Sequence, residues 1–220
     1  SKRMDRYTQF AIVAATEALA DSKLNLDNIN KQRVGVLVGS GIGGLSTIEA
    51  QIRSLVNKGP NRVAPLTIPM SISNIASGAI AIKFGLLGSS FSITSACASS
   101  THCIGEAYRN IKDGYSDIIF AGGSEASICE FGISSFQSLT ALSKSEDRNR
   151  ASIPFDLNRN GFVMGEGAGV LILEDLESAL KRGAKIYCEI VGYGTTSDAY
   201  HITSPCPDGN GAYRCMRDAM

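Results

Sequence analysis

SITSACASSTHCIG, residues 92–105, is the stretch on which the fold of this 220-residue chain turns. Its first half alternates serine and threonine with apolar residues as an extended strand does, and its second half passes through small residues into helical spacing. From 97 to 113 the positions Thr101, Ile104, Ala107, Tyr108 and Ile111 recur on one helical stripe, and Gly114 ends the run. A strand (91–96, FSITSA) that feeds a helix through alanines and serines is one unit of a layered α/β fold. Cys97 stands at the junction.

Working outward, the same alternation recurs. An amphipathic helix at 7–22, with apolar Phe10, Ile12, Val13, Ala14 and Leu19, precedes the buried strand 33–39, RVGVLVG. A glycine cluster leads into a helix at 45–56. Residues 59–69, GPNRVAPLTIP, read as loop because three prolines interrupt them. A helix at 72–85 follows. Downstream of the junction, DIIFAGG (117–123), AGVLILE (168–174) and IYCEIVGYG (186–194) read as strands, with a helix at 177–184 between the last two. Strands alternating with helices predict a mostly parallel sheet, whose ligands meet the carboxyl ends of strands. That rule singles out 39–44, 96–100 and 122–125.

Composition bounds the function. With 44% apolar residues the chain can bury a core, and 21 basic residues balance 21 acidic ones, so no overall field draws it to nucleic acid or an anionic bilayer. No apolar run approaches membrane-spanning length, and no signal peptide is visible. The six cysteines include no C-x-x-C pair and the histidines number two, so zinc-type spacing is absent. Reduced thiols in a cytoplasmic compartment suit this pattern. The chain opens inside an amphipathic helix and stops without a helix cap, so an internal piece of a longer protein is expected.

Two features carry candidate chemistry. VGSGIGG contains G-x-G-x-x-G at Gly39, Gly41 and Gly44 between a strand and a helix, as a dinucleotide loop does. The carboxylate that should close the next strand is missing, since no acidic residue lies between Glu49 and Glu106, so an NAD(P)-binding oxidoreductase is the weaker reading. The glycines instead suit close backbone approach, or room for a long ligand beside Ile42. Cys97 reads either as a packing thiol or as a nucleophile. Unpaired N–H groups and the macrodipole at a helix start favour negative charge on its sulfur, small neighbours leave it accessible, and the same amides suit an oxyanion. Cys103 is a packing thiol. His102, five residues on, lies some 140° around the helix from Cys97, since each residue turns about 100°. Neither it nor His201 makes a convincing general base.

SITSACASS, AGGSEA, IPFDLNRNGFVMGEGAGVLILEDLESALKRGAKIY and SDAYHITSP, in this order and spacing, resemble the β-ketoacyl-acyl-carrier-protein synthases, nearest to the synthase II type. The resemblance implies a thiolase-like α/β fold layered α-β-α-β-α with mixed five-stranded sheets. Residues 1–184 would form the first half without its first strand, and 185–220 the start of the second. It implies a 3-oxoacyl synthase of type II fatty acid synthesis, with Cys97 taking an acyl chain and malonyl-carrier protein supplying the condensing carbanion. Ile42 and Phe136 match acyl-pocket residues, Thr67 one that faces the partner subunit's pocket, Phe162 one near the site mouth, and Thr203 and Ser204 hydroxyls that bind phosphopantetheine. The histidine motifs of the family match nothing up to Met220, so this stretch by itself is not expected to complete condensation. No cofactor or metal is implied. The expected partners are acyl carrier protein and a second copy of the chain, paired along 90–95, with no nucleic acid or membrane. Lys2, Arg3, Arg6, Lys58 and Arg62 form a basic cluster suited to an acidic carrier protein, or a solvated helix face. Asp156, Arg159 and Glu166 are expected as buried charge pairs. A non-catalytic ketosynthase-like partner and a polyketide ketosynthase are the alternatives.

Overall fold

The computed structural model describes residues 3–220. One sheet is built from β1 (Val34–Gly39), β2 (Ser90–Phe91), β3 (Ile118–Glu125) and β4 (Gly167–Glu174), in the order β2-β1-β3-β4. β1 runs parallel to β2 and β3, while β4 is antiparallel to β3, so the sheet is mixed. The helices are α1 (Arg6–Ser22), α2 (Leu45–Lys58), α3 (Thr67–Ser71), α4 (Ile75–Phe84), α5 (Ser99–Lys112), α6 (Glu130–Ser138), α7 (Leu176–Lys181) and α8 (Asn210–Ala219). α1 and α4 cover one face of the sheet and α5 the other.

Strand alternation explains the two cores. Val34, Val36 and Val38 point with Ile118 and Phe120 toward Tyr7, Ala11 and Ala15 of α1 and Ile80 of α4. Leu37, Ile119 and Ala121 point the other way, onto Cys103 and Ala107 of α5. Each of these large side chains contributes about 1.5–3 kcal/mol by leaving water. A sheet covered on both faces reads as a continuous apolar run, which is what VGVLVG shows.

Several expectations change. Of the apolar positions expected on α1, Phe10, Ile12 and Leu19 pack half-buried against the core and Val13 is 56% exposed, but its fully buried apolar residues are Tyr7, Ala11 and Ala15. Small residues there let the helix lie close to the sheet. The proline-rich segment is not all loop: a 3-10 turn spans Pro60–Arg62, and α3 holds Pro69 within its first turn, where no intrahelical N–H bond is lost. The strand expected over 91–96 pairs only at Ser90 and Phe91, and 92–96 leave the ladder. The four strands of the sheet agree with a five-stranded half that lacks its first strand, whereas residues 186–194, expected as a further strand, form none. Apolar alternation makes a segment extended, but a strand also needs a neighbour to satisfy its N–H and C=O groups. This segment instead lies on α5, where Tyr108 donates to the Val191 carbonyl at 3.2 Å. The Tyr193 ring there fills the space a Cβ on Gly105 would occupy. α5 itself begins at Ser99, two residues after Cys97.

Asp5 ties α1 to α2. It caps α1 by accepting from the Tyr7 amide at 3.2 Å, and it accepts from both the Thr47 amide and hydroxyl of α2 at 3.0 and 2.6 Å. Beside it the fully buried Tyr7 hydroxyl donates to the Ile72 carbonyl. Burial, helped by the neighbouring Asp5 and Glu125 carboxylates, pushes the Tyr7 hydroxyl up to about 12. Unfolded tyrosine loses its proton near 10, so above that pH the unfolded state binds fewer protons than the native one. The stability is whole below pH 10 and drains away between pH 10 and 12, by about 2–3 kcal/mol. Urea unfolding of wild type and Tyr7→Phe across that window should show this component in wild type alone; equal slopes for both would refute it.

Candidate active site

The chain turns from the sheet into α5 through Ser95, Ala96 and Cys97. Ala96 holds a positive φ of 50°, a conformation that costs about 1–3 kcal/mol for a residue with a Cβ and persists where surroundings impose it. Those surroundings are visible. The Ser99 hydroxyl donates to the Ala96 carbonyl at 2.7 Å and accepts from the Ser95 amide at 2.9 Å. The Ala98 amide closes the turn on the Ser95 carbonyl at 3.1 Å. The result is a sharp bend that leaves Cys97 exposed just before the helix, whose cap residue Ala98 offers no side-chain acceptor.

The ends of β1 and β3 meet the start of α5 there. Gly39 and Gly123 pair across the β1–β3 ladder. A Cβ on Gly39 would lie 2.8 Å from the Ser99 carbonyl oxygen, and one on Gly123 would lie 2.7 Å from the Ser100 Cβ, so both glycines exist to admit the first turn of α5. Beyond them, Glu125 receives the glycine loop. Its Oε2 accepts from the Gly41 and Ile42 amides at 2.7 and 3.3 Å, and its Oε1 from the Ser40 and Ser127 hydroxyls at 3.0 and 3.3 Å. The Ser40 hydroxyl in turn accepts from the Gly43 amide at 2.8 Å. Three amides that a dinucleotide phosphate would need are thus taken by side chains of the protein itself. Asp5 holds the Thr47 amide in the first turn of α2 in the same way. The G-x-G-x-x-G pattern is therefore a packing device, and the oxidoreductase reading fails on this geometry.

His102 is held away from the sulfur: Nδ1 meets the Ser95 hydroxyl at 2.6 Å and Nε2 the Thr195 hydroxyl at 3.2 Å. Among the other thiols, burial pushes Cys103 up, and burial with the adjacent Glu49 carboxylate does the same to Cys129. The hydrogen bond that its thiol donates to the Asp208 carboxylate raises Cys206. All six cysteines are free, and only Cys97 and Cys188 are exposed.

Ile42, on the loop that Glu125 holds, is 39% exposed beside this bend. Phe136 of α6 and Phe162 meet edge to face with centroids 5.4 Å apart. Thr67, at the start of α3, lines a groove of about 330 Å³ with Met4, Arg6 and Gln51 that does not include Cys97. Thr203 and Ser204 lie in an exposed turn where both amides donate to His201 Nδ1 at 3.1 Å. Among the described residues no hydrogen bond or ring contact joins that turn or the phenylalanine pair to Cys97.

Of the basic cluster, Lys2 lies outside the described residues. Arg6 pairs with Glu166 at 3.0 Å and sits over the Phe10 ring. Lys58 ends α2, and Arg62 is exposed in the turn after it. Glu166 is a nearly buried carboxylate, as expected, and also accepts from the Ile128 amide at 3.0 Å. Asp156 and Arg159 are not a buried pair. Asp156 is partly open and binds Arg150 at 3.2 Å and its own Asn158 amide at 2.8 Å, so the loop is ordered by a turn rather than by a buried charge pair. Sequence reasoning passed over Glu125 and Asp5. The one available signal was that Glu125 closes an apolar strand end, where a carboxylate needs donors.

A mixed sheet between helices, with an exposed thiol at a strained bend into α5 where the ends of β1 and β3 close on that helix, defines a thiolase-like protein. Residues 1–179 match the model of the β-ketoacyl synthase N-terminal domain, and the chain belongs to that family. It is 49% identical over all 220 residues to 3-oxoacyl-[acyl-carrier-protein] synthase 2 of Staphylococcus aureus (strain N315), covering 53% of that protein. It is 50% identical to the protein of the same name from Synechocystis sp. (strain ATCC 27184 / PCC 6803 / Kazusa), again over 53% of its length. The chain spans about half the length of the curated relatives it matches. Among solved structures, it superposes with TM-score 0.92 and 36% identity on a type II PKS ketosynthase complex, AntDE:AntF, over 97% of this chain and 54% of that one. That complex holds the acyl-carrier protein with the ketosynthase bound to the hexaketide. A β-ketoacyl synthase from Burkholderia phymatum STM815 matches with TM-score 0.86 and 31% identity, over 99% of this chain and 54% of that one.

Proposed function

We propose that these residues serve a 3-oxoacyl-[acyl-carrier-protein] synthase, an acyltransferase of type II fatty acid synthesis in the cytoplasm. The observation that carries the reading is the exposed Cys97 next to the Ala96 bend, whose Ala96 carbonyl lies against Gly41 of the loop that bears Ile42. Cys97 attacks the acyl thioester of acyl carrier protein; the phosphopantetheine thiolate leaves and the chain stays on Cys97 as a thioester. Because a thiolate is exchanged for a thiolate, the step needs little driving force and no strong base, which agrees with the engagement of His102 elsewhere. The Cys97 amide serves the oxyanion that forms on attack. Condensation with the carbanion left by decarboxylation of malonyl carrier protein follows in the whole protein.

The remaining assignments rest on the same reading. Ile42 and Phe136 line the acyl chain, Phe162 stands near the site mouth, Thr67 reaches a partner subunit's pocket, and Thr203 and Ser204 hold the phosphopantetheine arm. Lys2, Arg3, Arg6, Lys58 and Arg62 receive the acidic carrier protein. Residues 1–184 and 185–220 belong to successive thiolase-like halves. A homodimer forms along β2, which lies at the edge of the sheet with Phe91 39% exposed. Among the described residues no helix is long and apolar enough to cross a membrane.

Brief alkylation with iodoacetamide and peptide mapping tests the reading. Cys97 should be modified first, ahead of the equally exposed Cys188 and the shielded Cys103. Prior modification of Cys188 or Cys103 would overturn the assignment.

A further inference from the structure

Glu125 spends both carboxylate oxygens on the segment that carries Ile42, and nothing in the chemistry proposed above uses it. The far end of the segment is fixed separately, by the Gly44 amide on the Ser71 carbonyl at 3.0 Å and by Gly43 and Gly44 lying against the backbone of α3. Gly41, Gly43 and Gly44 surround Ile42, so its backbone is intrinsically loose. The Ile42 side chain is 39% exposed and contributes little packing of its own. What holds the part that carries Ile42 is a small set of hydrogen bonds: two amides and the Ser40 hydroxyl on Glu125, the Gly43 amide on Ser40, and the Thr94 hydroxyl on the Ser40 carbonyl at 3.1 Å. The same contacts press Gly41 against the Ala96 carbonyl, so that a Cβ there would lie 3.4 Å from it, one residue from the thiol.

We infer that Glu125 is a positioning residue that sets acyl-chain selectivity by fixing the backbone of Ile42; the inference rests on the reading of Ile42 as an acyl-pocket residue. Without the carboxylate, the Gly41 and Ile42 amides lose their acceptor and the loop moves among several positions. The wall that distinguishes long from short chains is then no longer in one place. Glutamine preserves the contacts. Its carbonyl oxygen accepts from the two amides, and its NH₂ donates to Ser40 and Ser127, whose hydroxyls can accept.

The test is acylation of Cys97 in the full-length protein by octanoyl and palmitoyl thioesters, followed by intact mass. Glu125→Ala should move the ratio of the two rates toward one by about tenfold, the lower end of what one methylene's worth of discrimination supplies. Glu125→Gln should keep the wild-type ratio. Equal slowing of both donors by Glu125→Ala, with the ratio unchanged, would show a purely structural role and overturn the inference. If the alanine variant does not fold, Glu125→Asp, whose shorter side chain cannot reach both amides, should shift the ratio in the same direction; an unshifted ratio overturns the inference equally. Failure of the functional reading itself is distinguishable, because wild type would then carry no acyl adduct on Cys97.

Discussion

Cys97→Ala should abolish acylation of the full-length protein, lowering turnover by at least about a thousandfold, the scale on which removing a nucleophile acts. Cys97 is exposed, so its replacement removes little packing, and stability should stay within about 0.5 kcal/mol of wild type. An unchanged urea midpoint with no acyl adduct would assign the loss to chemistry. Cys97→Ser is the sharper variant, since it keeps the shape and replaces sulfur by oxygen. A serine needs an adjacent base to give up its proton, and His102 is bound to Ser95 and Thr195. Serine should therefore be nearly as inactive as alanine. Residual adduct on either variant, at one of the other five cysteines, would refute the role of Cys97.

Gly39→Val should be the most damaging change to the fold of the site. A Cβ at 39 would meet the Ser99 carbonyl oxygen at 2.8 Å, its carbon at 2.9 Å and the Ile93 oxygen at 3.0 Å. All three are backbone atoms, so no side-chain rotation relieves them. Overpacking of this kind costs about 1–3 kcal/mol, and valine adds two further methyl groups in the same space. A loss of about 3 kcal/mol is expected in urea unfolding. The α5 start must retreat, carrying Cys97 with it, and a displacement of even about 1 Å at a reacting atom can cost a hundredfold in rate. The surviving folded fraction should therefore acylate slowly. A variant as stable and as fast as wild type would show that Gly39 is not the seat of α5.

The carboxylate that seats the glycine loop explains why one motif invited two readings. G-x-G-x-x-G describes a loop that needs small residues, and small residues are needed equally by a phosphate and by another piece of the protein. Only the hydrogen bonds decide between them. Here the amide of Gly41 points at a side chain 84 residues away.

Local signals were enough for much of the rest. Period-2 and period-3.6 patterns located β1, β3, β4, α1, α2 and α5, and the junction of strand with small residues marked Cys97, because each of these depends on neighbours within one or two turns. The order and spacing of four motifs identified the family. Local pattern misled where an element depends on a distant partner. Residues 186–194 have strand composition without a ladder, and the proline segment winds into α3 because Pro69 falls in a first turn.

The sequence by itself determined the succession of strands and helices, the sulfur at their junction and the kinship of the chain. What long-range packing added is that the ends of β1 and β3 close against the start of α5 beside that sulfur, that Asp5 and Glu125 occupy the helix and loop amides, and that Ala96 is forced into a left-handed bend. The physical reason is range. Backbone periodicity is written in adjacent residues, whereas a carboxylate finds its donors only after the sheet has brought remote segments within about 3 Å of each other.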